Sequence, residues 1–306
     1  MDRRDLVIIG GGPAGLTAGI YASRASIDTV LLERGVPGGL VVSTYLIENY
    51  PGFSEGISGP DLMIQMEKQA GRFGCEILSA NVEKIESNDK EFYLKTDHGE
   101  IVAGAVILAS GVQSKLLGVK GEKELIGRGV SYCATCDGAF FRNKRVAVIG
   151  GGDAAVEEAI FLTRFAEKVY VIHRRGELRA TKIVQQRAFQ KQKIEFIWHG
   201  VVDEILGRNL VEAISVRDVR DSSKTLLEVE GVFIYVGSTP NTLLLKDLVK
   251  TDENGYIITD ENMQTSQKGI FAAGDVRQKL LRQVVTAVAD GAIAAVAAEK
   301  HLAELK

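Results

Sequence analysis

Residues 5–15 read Asp-Leu-Val-Ile-Ile-Gly-Gly-Gly-Pro-Ala-Gly, and the fold turns on this stretch. The short β-branched run at 6–9 predicts a buried strand, because a strand covered on both faces needs no polar alternation. Residues 13–24, rich in Ala and Leu, predict a helix with Pro13 inside its first turn. Between the two, Gly10, Gly12 and Gly15 form G-x-G-x-x-G. The first glycine permits the tight turn, the second lets backbone approach a pyrophosphate, and the third lets the helix pack close to the strand. The helix N-terminus adds free N–H donors and partial positive charge for phosphate. A second strand, TVLLE, ends at Glu33, 23 residues after Gly10. That is near the spacing of about 20 residues at which a carboxylate accepts from ribose hydroxyls. Strand, turn, helix and second strand together predict a dinucleotide-binding unit.

The pattern recurs 140 residues later. Arg-Val-Ala-Val-Ile at 145–149 leads into Gly150, Gly151, Gly152, Asp153, Ala154 and Ala155, then the helical VEEAIFLTRF and the strand VYVIHRR. Ala155 takes the third glycine position, which the fingerprint permits. The two copies differ at the end of the second strand. Where the first has Glu33, the second has Arg174, followed by Arg175 and Arg179. Guanidinium groups there suit a 2′-phosphate, with which they form charge-assisted and often bidentate bonds, and a carboxylate would repel it. The first site therefore reads as one for a ribose-diol cofactor such as FAD, and the second as one for NADPH. His173 sits beside the arginines, where it can touch the nucleotide.

Cys133-Ala-Thr-Cys136-Asp137 lies just before the second nucleotide strand. A C-x-x-C reads as a reversible redox pair, as half of a zinc site, or as two unconnected free thiols. Zinc wants four ligands, and only Cys75 and four scattered histidines remain, so no metal is expected. Asp137 has two readings: a general acid or base for the thiols, or a turn residue ahead of Gly138. Cys75, in the helical stretch MIQMEKQAGRFGC, reads as a buried small hydrophobe. Trp198-His199 reads as packing, and His98 and His301 as solvent-facing.

The chain has 306 residues, which suggests about two domains. A net charge of −3, with 25% charged residues, argues against a nucleic-acid-binding surface. No run of about 18 apolar residues predicts a membrane span, and the start MDRRDLVIIGGG has no secretory apolar region. A cytoplasmic protein is expected.

Taken in order, GGGPAG (10–15), ENYPGF (48–53), ASG (109–111), CATCDG (133–138), GGGDAA, HRRGELRA (173–180), VGSTPNT (236–242), GIFAAGDV (269–276) and Arg282-Gln283 carry a resemblance over essentially the whole chain. It resembles the low-molecular-weight thioredoxin reductases of the pyridine nucleotide-disulfide oxidoreductase superfamily. The resemblance implies an α/β fold of two Rossmann-like, three-layer domains, with an NADPH domain (114–242) inserted into a discontinuous FAD domain (1–113 and 243–306). It places FAD against Pro13, Ala14, Arg34, Gly38, Gly39, Leu40, Asn49, Val82, Gly274, Asp275, Arg282, Gln283 and Val284 as well as the first glycines. It places NADPH against Asp153, Ala154, His173, the arginines and Gly237. Cys136 would be the flavin-side sulfur and Cys133 the thiol that attacks thioredoxin, with Asp137 shuttling the proton. A homodimer is implied too. Three departures stand out: Leu40 where a glutamine is common, Ser110 where a threonine is usual, and Ala154 where Ser or Thr is frequent. Another electron donor, another thioredoxin- or glutaredoxin-like partner, or a flavin redox sensor without turnover are the alternatives.

Overall fold

Leu6, Val7, Ile8 and Ile9 are all buried, because the strand that carries them, β1 (Asp2–Ile9), lies in the middle of a sheet covered on both faces. Alternate side chains point to opposite faces. Leu6 and Ile8 therefore join one apolar core, and Val7 and Ile9 join the other. A computed structural model describes residues 2–88 and 91–305. By its internal contacts the chain divides into two units, 1–113 with 239–306, and 114–238.

In the first unit, α1 (Pro13–Arg24) returns the chain to β2 (Thr29–Glu33), which pairs parallel to β1. Helix α2 (Gly59–Arg72) follows and ends in a turn where Gly74 takes φ +85°. Then come β3 (Glu76–Ser79), β4 (Val82–Ser87), β5 (Phe92–Thr96) and β6 (Gly99–Leu108). The sheet order is β3-β2-β1-β6-β5-β4, and strand Ile270–Ala272 pairs with the second half of β6. One face is covered by α1, α2 and the C-terminal helix Val284–Leu305, all contributing to a core with Leu6, Ile8 and Phe271. Gly291 lets the C-terminal helix cross α1 closely, since a Cβ there would stand 2.1 Å from Ala14 O.

The second unit repeats the layout. Strands Ile194–Trp198, Lys168–His173, Arg145–Ile149, Gly231–Ile234 and Val130–Ser131 lie side by side in that order, all parallel. Helices Asp153–Leu162 and Lys182–Phe189 accompany them, and an antiparallel sheet of Gly200–Leu206, Ala213–Asp218 and Lys224–Glu228 is added. Both units are α/β, as the repeated glycine turns predict.

The strands Val112–Ser114 and Ser238–Pro240, where the chain passes between units, pair as a two-stranded ribbon. Residues 239–242, assigned to the second domain from the sequence, pack with the first unit. Asn241 is the reason: its N–H donates to Gly111 O at 3.0 Å, its side chain donates to Ser110 O at 2.9 Å, and its carbonyl accepts from Ser110 Oγ at 2.7 Å. Cys75 lies three residues beyond α2 rather than within it, with its buried sulfur against Gly19 of α1. His301 also departs from expectation. It is partly buried, with its ring edge-on to Phe271, and burial lowers its basicity.

Candidate functional site

The first glycine turn is built as its sequence requires. Gly10 has φ +106°, and a Cβ there would lie 2.5 Å from Ala109 O. A Cβ at Gly15 would lie 1.8 Å from Gly10 O, so only hydrogen fits. At Gly12, by contrast, a Cβ would meet nothing within 4 Å, so the turn is open where a pyrophosphate would approach. Gly12 caps α1 in an extended conformation with no side-chain cap, and Pro13 begins the helix. The first-turn amides are thus left for an anion.

Glu33 ends β2 with its carboxylate at this turn, where Oε2 accepts from Gly11 N–H at 2.7 Å and Oε1 from Gly35 N–H at 3.0 Å. Two such bonds leave about half of a carboxylate's acceptor sites for ribose hydroxyls. Arg34, Gly39 and Leu40 are exposed. Gly38 is buried and its N–H donates to Gly11 O at 2.9 Å, docking this loop on the turn. Asn49 Nδ2 donates to Gln283 Oε1 at 3.0 Å, joining two candidates 234 residues apart. Val82 begins β4 with its side chain in the core, leaving only backbone for a ligand. Arg282 and Gln283 immediately precede the C-terminal helix, which starts at Val284. The Arg282 guanidinium lies 3.8 Å from the Tyr256 ring centroid.

Asp275 sits on the turn after strand Ile270–Ala272, and Gly274 beside it packs against Ala14 at the start of α1. Asp275 Oδ1 is buried and lacks a hydrogen-bond partner, with Lys279 Nζ 3.6 Å away. Burial raises the pKa of this carboxyl, while Lys279 and Arg282 oppose the rise. A buried acceptor with no donor is the arrangement a ligand hydroxyl completes. The turn is ordered by Asp290, which accepts from Gly274 N–H, Arg277 and Lys279, each at 3.0 Å. Sequence reading passed over Arg277, Lys279 and Asp290. A lone Asp in the apolar run VVTAVADGAIAAV was the available signal.

In the second turn Gly150 has φ +151°, and a Cβ there would lie 2.5 Å from Tyr235 O. Gly152 is open like Gly12, while Ala155 is buried and its methyl fits. Asp153 is tied up, its Oδ1 accepting from Thr181 N–H at 2.7 Å, and Ala154 is exposed. Gly151 O accepts from Arg179 N–H at 2.7 Å and Ala180 N–H at 3.0 Å, which fastens the arginine loop to the glycine turn. Arg174, Arg175 and Arg179 are exposed and, among the described residues, form no ion pair. His173 is buried against Gly151, and burial followed by repulsion from the three arginines holds its pKa down. Gly237, at φ +121°, has open space where a side chain would be.

Cys133 and Cys136 are joined as a disulfide across the short helix Ala134–Asp137. Cys133 is partly buried and Cys136 exposed, and the Cys136 N–H donates to Cys133 Sγ at 3.0 Å. Ser131 Oγ donates to Asp137 Oδ2 at 2.6 Å and accepts from Cys133 N–H at 3.0 Å, so one hydroxyl ties the acid to the first cysteine. Behind Tyr132, the buried Glu122 accepts from Tyr132 OH at 2.6 Å, Leu117 N–H at 2.7 Å and Gly118 N–H at 2.6 Å. Among the described residues no group of three His, Cys, Asp or Glu could hold a metal ion.

An α/β unit whose glycine turn is met by a carboxylate, a second whose glycine turn is met by exposed arginines, and a disulfide within that second unit define a flavin- and nicotinamide-dependent class. The family model described as pyridine nucleotide-disulphide oxidoreductase matches residues 4–291, and the chain belongs to this family. It is 51% identical over 304 residues to a thioredoxin reductase of Listeria innocua, covering 99% of this chain and 95% of that protein. The crystal structure of Lactococcus lactis thioredoxin reductase superposes with a TM-score of 0.96 at 48% identity, covering 98% and 99% of the two chains. The crystal structure of T. acidophilum thioredoxin reductase gives 0.93 at 37% identity, covering 98% and 99% of the two chains. The thioredoxin reductases of this family use FAD and NADPH. The residues here fit both: the open Gly12 and orphaned Asp275 Oδ1 suit FAD, and the open Gly152 and unpaired arginines suit NADPH.

Proposed function

We propose that this chain is an NADPH-dependent flavoprotein that reduces the disulfide of thioredoxin through Cys133 and Cys136. The observation that carries the reading is the Cys133–Cys136 disulfide, tied through Ser131 to Asp137 and set in the unit with the arginine cluster. In this reading the first unit holds FAD through Gly10, Gly12, Pro13, Ala14, Gly15, Glu33, Arg34, Gly38, Gly39, Leu40, Asn49, Val82, Gly274, Asp275, Arg282, Gln283 and Val284. The second holds NADPH through Gly150, Gly152, Asp153, Ala154, His173, Arg174, Arg175, Arg179 and Gly237. When bound, the two cofactors supply a hydride equivalent, two electrons and a proton, to the protein disulfide.

The chain's own groups do the rest. The reduced Cys133 sulfur attacks one thioredoxin sulfur, and the other thioredoxin sulfur leaves as a thiolate. Cys136 then attacks Cys133 Sγ, which reforms the internal disulfide and frees the second thioredoxin sulfur. Asp137, oriented by Ser131, passes a proton to the departing thiolate. Phe140, 75% exposed four residues after Cys136, offers an apolar contact for a protein partner.

The test is NADPH-dependent reduction of thioredoxin by the FAD-loaded protein, against Cys133→Ser and Cys136→Ser. Each variant is expected to lose turnover by at least about 10³-fold, a loss typical of removing a covalent nucleophile. Wild-type protein that oxidises NADPH but leaves thioredoxin oxidised would overturn the reading. The same reading makes the enzyme a cytoplasmic homodimer, which sedimentation of the FAD-loaded protein checks. Among the described residues no helix is long and apolar enough to cross a membrane.

A further inference from the structure

Two glutamates are buried in the second unit, and they are treated in opposite ways. Glu122 is 1% exposed and has three hydrogen-bond donors on its carboxylate. Glu158, on the inward face of helix Asp153–Leu162, is 8% exposed, and its Oε2 has no hydrogen-bond partner. That helix packs on the cysteine turn, with Ala155 and Ala159 in one core with Ala134, and Thr135, the residue between the cysteines that precedes Cys136, is a polar neighbour of Glu158. Thr135 Oγ1 is itself buried with no hydrogen-bond partner. The Tyr235 hydroxyl closes the same region, accepting from Ala134 N–H at 2.9 Å. Two orphaned polar groups and a tyrosine thus lie directly behind the Cys-Ala-Thr-Cys turn. Buried orphans are rare enough in native proteins that each calls for an explanation.

Glu122 is explained by structure: it pins the segment before the cysteines. Among the described residues Glu158 Oε2 has no hydrogen-bond partner, and the disulfide-exchange steps above do not use it. The charged or titratable groups acting here are Glu157 on its own helix, Tyr235 from the end of strand Gly231–Ile234, and Asp137 on the cysteine turn. Among the described residues they include no cation. Burial first, then Glu157, push the Glu158 carboxyl up to about 8, against the opposing influence of Thr135.

We propose that Glu158 is a positioning residue for the redox pair, a buried acid that acts through the Thr135 hydroxyl and couples the stability of the reduced cysteines to pH. The proposal rests on the reading of Cys133–Cys136 as the redox pair. Reduction breaks the Sγ–Sγ bond, brings in two electrons and takes up one proton, leaving one sulfur as thiol and the other as thiolate. A thiolate beside protonated Glu158 meets no like charge. Once Glu158 ionises it does, so the thiolate form loses stability relative to the disulfide. By reciprocity, the thiolate keeps Glu158 protonated to higher pH than the disulfide does.

The experiment equilibrates FAD-loaded protein with dithiothreitol buffers from pH 6 to 10. After an acid quench and alkylation, the reduced Cys133–Cys136 fraction is read by mass spectrometry, with Cys75 counted separately. Wild type and Glu158→Gln should coincide at pH 6. By pH 9.5 the pair in Glu158→Gln should be about tenfold easier to reduce, equivalent to about 30 mV. Profiles that coincide at every pH would overturn the proposal while leaving the redox pair intact. A wild-type disulfide that never opens, or never reforms, would overturn the redox reading and this proposal together. Thr135→Val keeps Glu158 and removes the opposing hydroxyl, so the break in the profile should move to higher pH. This variant decides the matter if Glu158→Gln does not fold, and an unmoved break overturns the proposal.

Discussion

The two glycine turns are the same device with opposite finishing. In both, the first glycine sits at positive φ against a carbonyl of the neighbouring segment, and the second faces open space. They part at the third position and at the end of the second strand. The first turn has Gly15, locked against Gly10 O, and Glu33 folded back onto Gly11 N–H. The second has Ala155, whose methyl is accommodated, and three exposed arginines that, with burial, hold down the pKa of His173. In the proposed reading the shared part binds what dinucleotides have in common, the pyrophosphate. In that reading the differing part reads the ribose, where a carboxylate accepts from hydroxyls and guanidinium groups donate to a phosphate.

The third position should break the symmetry hardest. Gly15→Ala forces a methyl onto a backbone oxygen and should cost about 3 kcal/mol with loss of FAD, readable by denaturant unfolding and flavin release. Ala155→Gly, the reverse exchange, loses a buried methyl and adds backbone freedom, costing about 1.5 kcal/mol. Equal costs would show that the two turns are packed alike. Next comes the charge. Replacing Arg174, Arg175 or Arg179 singly by alanine should raise the KM for NADPH by about thirtyfold, about 2 kcal/mol, for the residue that holds the 2′-phosphate. The KM for NADH should not move. A parallel rise for NADH would mean that the arginines act on the part the two nucleotides share.

Much of this comparison was legible in the sequence because its causes are local. A β-branched run, glycines at fixed offsets and a charge about 23 residues on each report on a single βαβ unit. What escaped was set by contacts between distant segments. Asp290 looks like a helix-surface charge until Gly274, Arg277 and Lys279 are folded onto it. Glu158 is one of two adjacent glutamates, and only the path of the helix over the cysteine turn separates the exposed one from the buried one. Asn241 returns residues 239–242 to the first unit through bonds to residues about 130 positions earlier. The end of α2 before Cys75 was missed for a different reason: helical composition continues through residue 73, and Gly74 stops it by conformation.

The first turn's carboxylate offers a smaller test. Glu33→Gln keeps the shape but trades charge-assisted acceptance from Gly11 and Gly35 for neutral bonds. FAD should bind about tenfold more weakly, about 1.4 kcal/mol, by fluorescence titration of the apoprotein. No change would remove Glu33 from the ribose and leave it as a brace for its own loop.

The smallest expected effect is at Ala154, an exposed position in the first turn of its helix, two residues past the open Gly152. The neighbouring Asp153 is held by Thr181 N–H, so this helix start presents backbone donors but no side-chain donor to a phosphate. Ala154→Ser supplies a hydroxyl there. One exposed hydrogen bond to a charged oxygen is worth about 0.7 kcal/mol after the serine gives up its bond to water, so KM should fall about threefold. The fall should be the same for NADPH and NADH, because a residue at the helix start reaches the pyrophosphate and not the ribose. A gain confined to NADPH would place the 2′-phosphate at the helix N-terminus. The division of labour between the shared turn and the arginine loop would then have to be redrawn.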